Sequence, residues 1–511
     1  MELMDLIYQH LDMYFVDDPQ PGQLAKVGID AMLRQLDPYT VYYHENNIED
    51  YRLMTTGQYG GIGALIRKID NHCEIVEPYE GNPAFNAGLR AGDKILSIDG
   101  KDMVGKASAD VSAALKGPKG SEIVIKVETN GKTKDFKVVR DEIKLPVVPY
   151  SGMLNESVGY IKLNSFMPPT TSAEVKSAFK ELKSKGAKEL VLDLRGNGGG
   201  LLIEAVKIVN MFVERGQLVV TTKGRVAEEN RVYKTMEAPM DLDIPLVVLV
   251  DENSASASEI VAGSLQDLDR AVIIGNTSFG KGLVQRTYDL KYGSKIKLTI
   301  AKYYTPSGRC VQRLEYYDQI EGNPAEIPDS LIKKFKTSNG REVIDGRGIE
   351  PDVPVEIGDL SRLSATIYGN NLIYNYANQF VREHESIASP KTFNISEKDY
   401  QAFVDYVKNS DFTYSTASEE ALKKWKAVAE AEGYMSQSEE DFNRLMAKVT
   451  PSKERDLEIF KDEIKEMLEN EIVSRYYFQN GRAEYSFRQD PAIIKSLEIF
   501  GDLEKYKGIL N

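Results

Sequence analysis

The sequence predicts a multidomain α/β protein: a βαβ core with a parallel-rich sheet, a smaller strand-rich domain inserted ahead of it, and helical regions at both ends. Three observations carry this. Apolar strands and amphipathic helices alternate through residues 144–357, the pattern of a buried, mainly parallel sheet with helices on its faces. Short alternating strands separated by glycine turns fill residues 58–143, the texture of a small mixed domain. Apolar residues at helical spacing dominate 1–57 and 358–511. A length of 511 residues, 42% hydrophobic and 28% charged, suits several ordinary globular domains.

In residues 1–57, Leu3, Ile7 and Leu11, then Leu24, Val27 and Ala31, recur at helical spacing around a break at DDPQPG, and the segment LDPYTVYY turns into an extended piece. Residues 58–143 hold the strands GALIRKID, HCEIVE, DKILSIDG, SEIVIKVET and GKTKDFKVV, with short helices at NPAFNAGL and ASADVSAALKG. The core then runs VGYIKLNSF, helix SAEVKSAFKELKSKG, KELVLDLRG, helix LLIEAVKIVNMFV, PLVVLVDE, a helix around SEIVAGSLQDL, and RAVIIG. Ligands of such sheets bind at the carboxyl ends of the strands, so chemistry is expected in the loops after Leu194, Val250 and Gly275. Residues 358–511 return to helix, as in SEKDYQAFVDYVKN, ALKKWKAVAEAEG and KERDLEIFKDEIKEMLENEIVSRYYFQ.

Scarcity narrows the chemistry. Four histidines (His10, His44, His72, His384) and two cysteines (Cys73, Cys310) exclude a disulfide framework and a cysteine-rich zinc module. The cysteines fall in different domains and are expected as free buried thiols. A net charge of −14 without a basic stripe argues against nucleic acid as a partner. No apolar run approaches the ~18 residues of a membrane span. The first residues, MELMDLIYQHLDMYF, lack the basic start of a signal peptide, which fits a cytosolic chain or one that begins after a removed export signal.

Three loops are candidates. In LDLRGNGGG (192–200) the glycines free backbone N–H groups at the positive end of the next helix, a nest for an oxyanion or simply a tight turn. In DENSASASE (251–259) small residues lead into a helix, which suits a nucleophile. Taken alone, Ser256-x-x-Glu259 reads better as a capping box, which satisfies orphan N–H groups with no catalysis involved. In GNTSFGKGLVQ (275–285) Lys281 lies between glycines behind Phe279. It is a surface lysine, or a base whose amine is desolvated by about three pKa units, with Gln285 placed four residues on to orient it. GNTSFGKG also falls one residue short of a phosphate loop, with Gly282 where a hydroxyl would hold Mg²⁺, and β-forming sequence follows it instead of a helix. All four histidines lie outside 145–357, so a serine activated by lysine needs nothing imported. The combination Ser256, Lys281 and Gln285, with the N–H groups of Gly199 and Ala257 as oxyanion donors, uses all three loops and requires no metal or cofactor.

The stretches LDLRGNGGGLL, VVLVDENSASASEIVAGSLQDLDRAVIIGNTSFGKGLVQ and AKYYTPSGR resemble the carboxyl-terminal processing proteases, tail-specific serine peptidases with a Ser/Lys dyad. The similarity extends to LDPYTVYY, GGIGALI and GNPAFNAGLRAGDKILSIDG, the last resembling the PDZ domain of those enzymes. By position, the resemblance implies Ser256 as nucleophile, Lys281 as general base and Gln285 as its orienting partner. Ser254 and Ser258 inherit no role. Gly198 stands where the family commonly has proline, and residues 314–347 are inserted, either covering the site or decorating the surface.

The implied activity is cleavage of protein substrates whose C-terminal tails a PDZ domain (58–143) recognises. Gly61, Ile62, Gly63 and Ala64 would offer N–H groups to a terminal carboxylate, and Val111, Ala114 and Leu115 would line a pocket or form the domain's own core. The resemblance also implies an exported, envelope setting, gating by the PDZ domain and, in some members, homodimers through terminal helices. A silent PDZ scaffold and a phosphate-loop nucleotide binder are the alternatives.

Overall fold

The protein is described from a computed structural model, over residues 2–44, 58–129, 131–316, 324–356, 358 and 360–511. The part of the expected N-terminal helical region at 45–57, and residues 317–323 of the expected insertion, lie outside the described residues. The chain groups into two units: Met1–Tyr59, Lys144–Glu356 and Pro491–Asn511 form one, Gly60–Ile143 and Ile357–Asp490 the other.

The first unit is built on two sheets. One runs Tyr150–Met153, Val158–Lys162, Glu189–Asp193, Leu246–Val250, Val272–Gly275, Val353–Pro354, with every pairing parallel except the first. Its central strand, LVVLV, is buried at every position, as a β-branched run enclosed on both faces should be. Helices Thr171–Ser184, Leu202–Val209 and Ala257–Asp267 supply the crossovers, and all eleven residues of the last are buried. One apolar core unites sheet and helices, including Phe166, Phe179, Phe212, Val248 and Ile260. The other sheet is antiparallel and joins Val41–Tyr43, Lys295–Tyr304, Leu218–Gly224 and Arg231–Lys234, with Leu283–Asp289 also paired to Lys295–Tyr304. GKG therefore opens a strand. A phosphate loop must open a helix, so that alternative lacks its geometry.

Helices Pro491–Phe500 and Leu503–Leu510, expected as part of one C-terminal helical region, group with this unit instead. The Tyr506 hydroxyl accepts from Leu246 N at 2.9 Å and lies 3.2 Å from Leu246 O, tying the last helix to the start of the central strand.

In the second unit, strands Ala64–Ile69, His72–Pro78, Lys94–Ile98, Glu122–Thr129 and Lys132–Val139 form an antiparallel sheet with helices Pro83–Ala87 and Ser108–Leu115. Its core includes Ile75, Leu89, Ile95, Ile123 and Ile125. Helices Arg362–Gly369, Leu372–Glu383, Glu397–Lys408, Lys453–Ile459 and Lys461–Ser486 pack around a separate core that includes Phe380, Phe403, Leu468 and Ile472, and the long helix breaks at Phe478, where φ is 52°. Tyr374 donates to Ile75 O at 3.1 Å and Arg67 to Asn371 Oδ1 at 2.8 Å, so these helices hold the small sheet within one unit. Cys73 is buried, Cys310 is half-buried, and both are free thiols. No helix among the described residues is long and apolar enough to cross a membrane, and no cluster of three or more metal-ligating side chains occurs among them.

Candidate active site

The three loops converge at the carboxyl ends of the parallel strands, where the topology places them. Ser256 closes a tight strand-to-helix turn between Leu246–Val250 and Ala257–Asp267 with φ 58° and ψ −111°. A non-glycine residue rarely adopts such a conformation, which costs of order 1–3 kcal/mol and persists where the surroundings enforce it. Here Ser256 N donates to Glu259 Oε2 at 2.8 Å, and the Tyr303 hydroxyl donates to Ser256 O at 3.1 Å. Within residues 254–260 Ser256 alone is not fully buried. A strained, half-buried serine between buried neighbours is geometry compatible with a nucleophile at a sharp strand-to-helix turn.

The flanking serines stitch this turn to the glycine loop. Ser254 Oγ donates to Leu194 O at 2.9 Å, Ser258 Oγ to Asn197 O at 2.8 Å, and Ala255 N to Asn197 O at 3.0 Å. Gly199, at φ 97°, abuts the result: a Cβ there would fall 2.6 Å from Ala255 O and 2.9 Å from Ala257 N. Of the two expected oxyanion donors, Ala257 N–H has no hydrogen-bond partner among the described residues. Gly199 N–H is given to Asn197 Oδ1 at 2.9 Å. The base of the loop is fixed by Asp193, whose buried carboxylate takes the Tyr160 hydroxyl at 2.7 Å, Lys162 Nζ at 3.1 Å and Arg195 Nη2 at 2.6 Å. Burial works against this charge, but Arg195 and Lys162 outweigh it and hold the carboxyl well below the usual range.

Glu259 joins the nucleophile turn to the lysine loop. Its buried carboxylate takes Ser278 Oγ at 2.6 Å and Gly280 N at 2.7 Å on Oε1, and Ser256 N and Lys281 N on Oε2, each at 2.8 Å. Two nitrogens bound to one oxygen cannot lie more than twice 2.8 Å apart, so a single carboxylate fixes the spacing of Ser256 and Lys281. Burial pushes the Glu259 carboxyl up, opposed by these donors. In the sequence, Glu259 is legible only as a helix cap.

The Lys281 side chain leaves a mostly buried setting. Burial, then repulsion from Lys297, bring its ammonium down to about 8, against the opposing pull of Glu259 and Asp37. An amine ionising there is neutral in a useful fraction near neutral pH. Its Nζ sits 4.3 Å from the centroid of the Tyr39 ring. Among the described residues no hydrogen bond joins it to Ser256 Oγ or to Gln285. The Gln285 side chain donates to Thr299 Oγ1 at 3.2 Å, past a bulge between Val284 and Gln285. Tyr39 lies more than two hundred residues upstream, in LDPYT, and its nearness to Lys281 has no signal in the local sequence.

In the second unit, Gly61 ends strand Gln58–Gly61 and Ala64 begins the next. Between them Ile62 O accepts from Ala84 N and Gly63 O from Tyr79 N, pinning the turn. Ile62, Val111 (0% exposed) and Leu115 (5%) all belong to the small domain's core. Val111 and Leu115 are packed into the small domain's core, one of the two readings the sequence left open for them.

Comparisons with known proteins identify the family. The family profile for peptidase family S41 matches residues 157–321, a PDZ domain profile 74–129, and one described as "Probable PDZ-protease, C-terminal helical domain" 363–500. A carboxy-terminal-processing protease of Bartonella bacilliformis is 37% identical over 336 residues, 65% of this chain and 75% of that protein. A Staphylococcus aureus protein named "Probable CtpA-like serine protease" is 36% identical over 308 residues, 60% of this chain and 61% of that protein, so the match leaves more than a third of that relative uncovered. The solved photosystem II D1 C-terminal processing protease is 27% identical, covering 70% of this chain and 92% of that one, with a TM-score of 0.38. The chain belongs to peptidase family S41, as a serine peptidase of the carboxy-terminal-processing group.

Proposed function

We propose that the chain is an endopeptidase that captures C-terminal tails of protein substrates with its PDZ domain and cleaves them with Ser256, Lys281 and Gln285. The observation that carries this is the shared Glu259 oxygen, which sets the backbones of Ser256 and Lys281 side by side. Neutral Lys281 Nζ takes the Ser256 Oγ proton as Oγ bonds to the peptide carbonyl carbon and the carbonyl π pair moves to oxygen. Ala257 N–H holds that oxyanion, joined by Gly199 N–H once it turns from Asn197. One such donor is typically worth ~10²–10³ in rate. Collapse breaks the C–N bond, the ammonium of Lys281 returns its proton to the leaving amine, and water then cleaves the acyl-serine by the same route. Gln285 orients the amine without adding charge.

Residues 58–143 supply recognition: the turn Gly61, Ile62, Gly63, Ala64 meets the terminal carboxylate, and the strand after it pairs with the extended tail. The helical regions serve assembly, as homodimers in an envelope setting. The test is cleavage of an unfolded protein with a free apolar C-terminus by wild type, Ser256→Ala and Lys281→Ala. Both variants should be inactive. Undiminished cleavage by Ser256→Ala would sink the proposal, and an inactive wild type that still binds tails would leave a scaffold. Amidating the substrate C-terminus should raise KM with kcat nearly unchanged. An unaltered KM would remove the PDZ role.

A further inference from the structure

The turn LDPYT (36–40) has no part in the mechanism above, yet it reaches the lysine. Tyr39 presents the face of its ring to Lys281, with Nζ 4.3 Å from the centroid. The ring is itself held in place. Tyr39 N and Thr40 N donate to Asp37 Oδ1 at 2.8 and 2.7 Å, and Thr40 Oγ1 to Asp37 Oδ2 at 3.0 Å, an Asx turn that fixes the backbone. Thr299 N donates to Thr40 Oγ1 at 3.2 Å, anchoring the turn to the strand Lys295–Tyr304. The Tyr39 hydroxyl shares a 3.2 Å hydrogen bond with that of Tyr316, at the start of the insertion, and the two rings meet edge to face, 5.7 Å apart. Among the described residues Nζ has no hydrogen bond to Ser256 Oγ.

The geometry points to Tyr39 as a positioning residue whose ring is the resting seat of protonated Lys281, from which the amine passes to Ser256 when it loses its proton. This rests on Lys281 being the general base. The physical ground is the ring quadrupole: its negative face attracts an ammonium and gives a neutral amine nothing comparable. Deprotonation to solvent therefore weakens the seat and frees Nζ to hydrogen-bond the serine hydroxyl. Other charged groups facing Nζ bias the same Lys281 equilibrium. Glu259 on the nucleophile helix and Asp37 in the turn favour the ammonium, while Lys297 on the neighbouring strand opposes it. Burial and the Tyr316 hydroxyl keep the Tyr39 phenol protonated, so it adds no titration of its own.

The test compares Tyr39→Leu with Tyr39→Phe. Leucine removes the π face and keeps an apolar wall; phenylalanine keeps the face. The acid limb of kcat/KM is expected to move to lower pH by about 0.4–1.5 in Tyr39→Leu and to stay in place in Tyr39→Phe. A purely structural role would lower kcat without moving the limb. No movement or an upward one in Tyr39→Leu, or equal movement in Tyr39→Phe, would overturn the proposal. A second readout needs neither activity nor a Tyr39 variant. In Ser256→Ala with ¹³C-labelled lysine, the Lys281 methylene resonances should lie upfield from the ring current at low pH and lose that displacement as the amine titrates. Absence of the upfield position would also overturn the seat. Persisting cleavage by Ser256→Ala would instead overturn the nucleophile assignment, and by Lys281→Ala the base assignment, while the resonance titration still reports on the seat.

Discussion

Replacing Glu259 with glutamine tests whether one carboxylate assembles the site. The native oxygens divide four donors into two pairs, Ser278 Oγ with Gly280 N and Ser256 N with Lys281 N. An amide has one oxygen, so one pair must face its NH₂ group. The better orientation keeps oxygen toward Ser256 and Lys281. Ser278 can then turn its hydroxyl to accept, but Gly280 N–H is stranded in a buried position. A stranded donor costs about 1–3 kcal/mol. The two retained bonds also drop from charge-assisted to neutral, roughly halving their strength. Relief of the buried charge offsets part of this. We expect a net loss of about 1–3 kcal/mol in urea unfolding. The larger effect should be on rate. Gly280 adjoins Lys281, and a displacement near 1 Å at a catalytic group costs about 10²-fold. The assay is kcat and KM on an unfolded substrate beside the unfolding curve. A Glu259→Gln enzyme within threefold of wild-type kcat, with an unchanged urea midpoint, would refute the clamp.

Further outcomes follow from the same geometry. Lys281 ionises near 8 in the fold and near its ordinary 10.5 when unfolded. The unfolded chain thus binds the extra proton, and Lys281 destabilises the fold below pH 8, an effect that fades as pH rises to 10.5. Lys281→Met should therefore stabilise the protein at pH 7 by up to about 3 kcal/mol, with the gain vanishing above pH 10.5; a constant gain in chemical unfolding would contradict this. The wild-type kcat/KM should rise with pH through about 8, as the base must be neutral. Gly199→Ala places a Cβ 2.6 Å from Ala255 O at φ 97°, and should cost at least about 1–2 kcal/mol and 10²-fold in kcat, read by unfolding and steady-state kinetics. Leu115→Ala, in the core of the small domain, should cost about 2–5 kcal/mol of that unit's stability in hydrogen exchange; a shift in KM alone would favour the pocket reading.

The fold class was legible because each element announces itself locally. LVVLV is short and β-branched enough to read as a buried strand, SAEVKSAFKELKS has the spacing of a packed helix, and the glycine turns of 58–143 punctuate its strands. The candidate loops were legible for the same reason: they interrupt strong patterns where a parallel sheet exposes its strand ends. What local pattern cannot carry is pairing across the chain. Glu259 satisfied a helix-capping rule, and nothing in S-x-x-E signals that its other oxygen collects Ser278 and Gly280. Tyr39 lies 242 positions from Lys281, and the antiparallel pairing of Val41–Tyr43 with Lys295–Tyr304 helps bring its turn to the site. The helix at Pro491–Phe500 is amphipathic, but amphipathicity does not name the core it covers, and it joined the first unit. Val111 and Leu115 show the same gap, since apolar spacing fits a pocket wall and a core equally.

The central claim is that Ser256 is a nucleophile driven by Lys281. Its most direct test is covalent labelling by a serine-directed phosphonofluoridate, mapped by mass spectrometry across pH in wild type and Lys281→Ala. The account requires a single adduct on Ser256, forming at a rate that rises through about pH 8 and collapses in Lys281→Ala. An adduct on another residue, or a Ser256 labelling rate indifferent to pH and to the loss of Lys281, would contradict it.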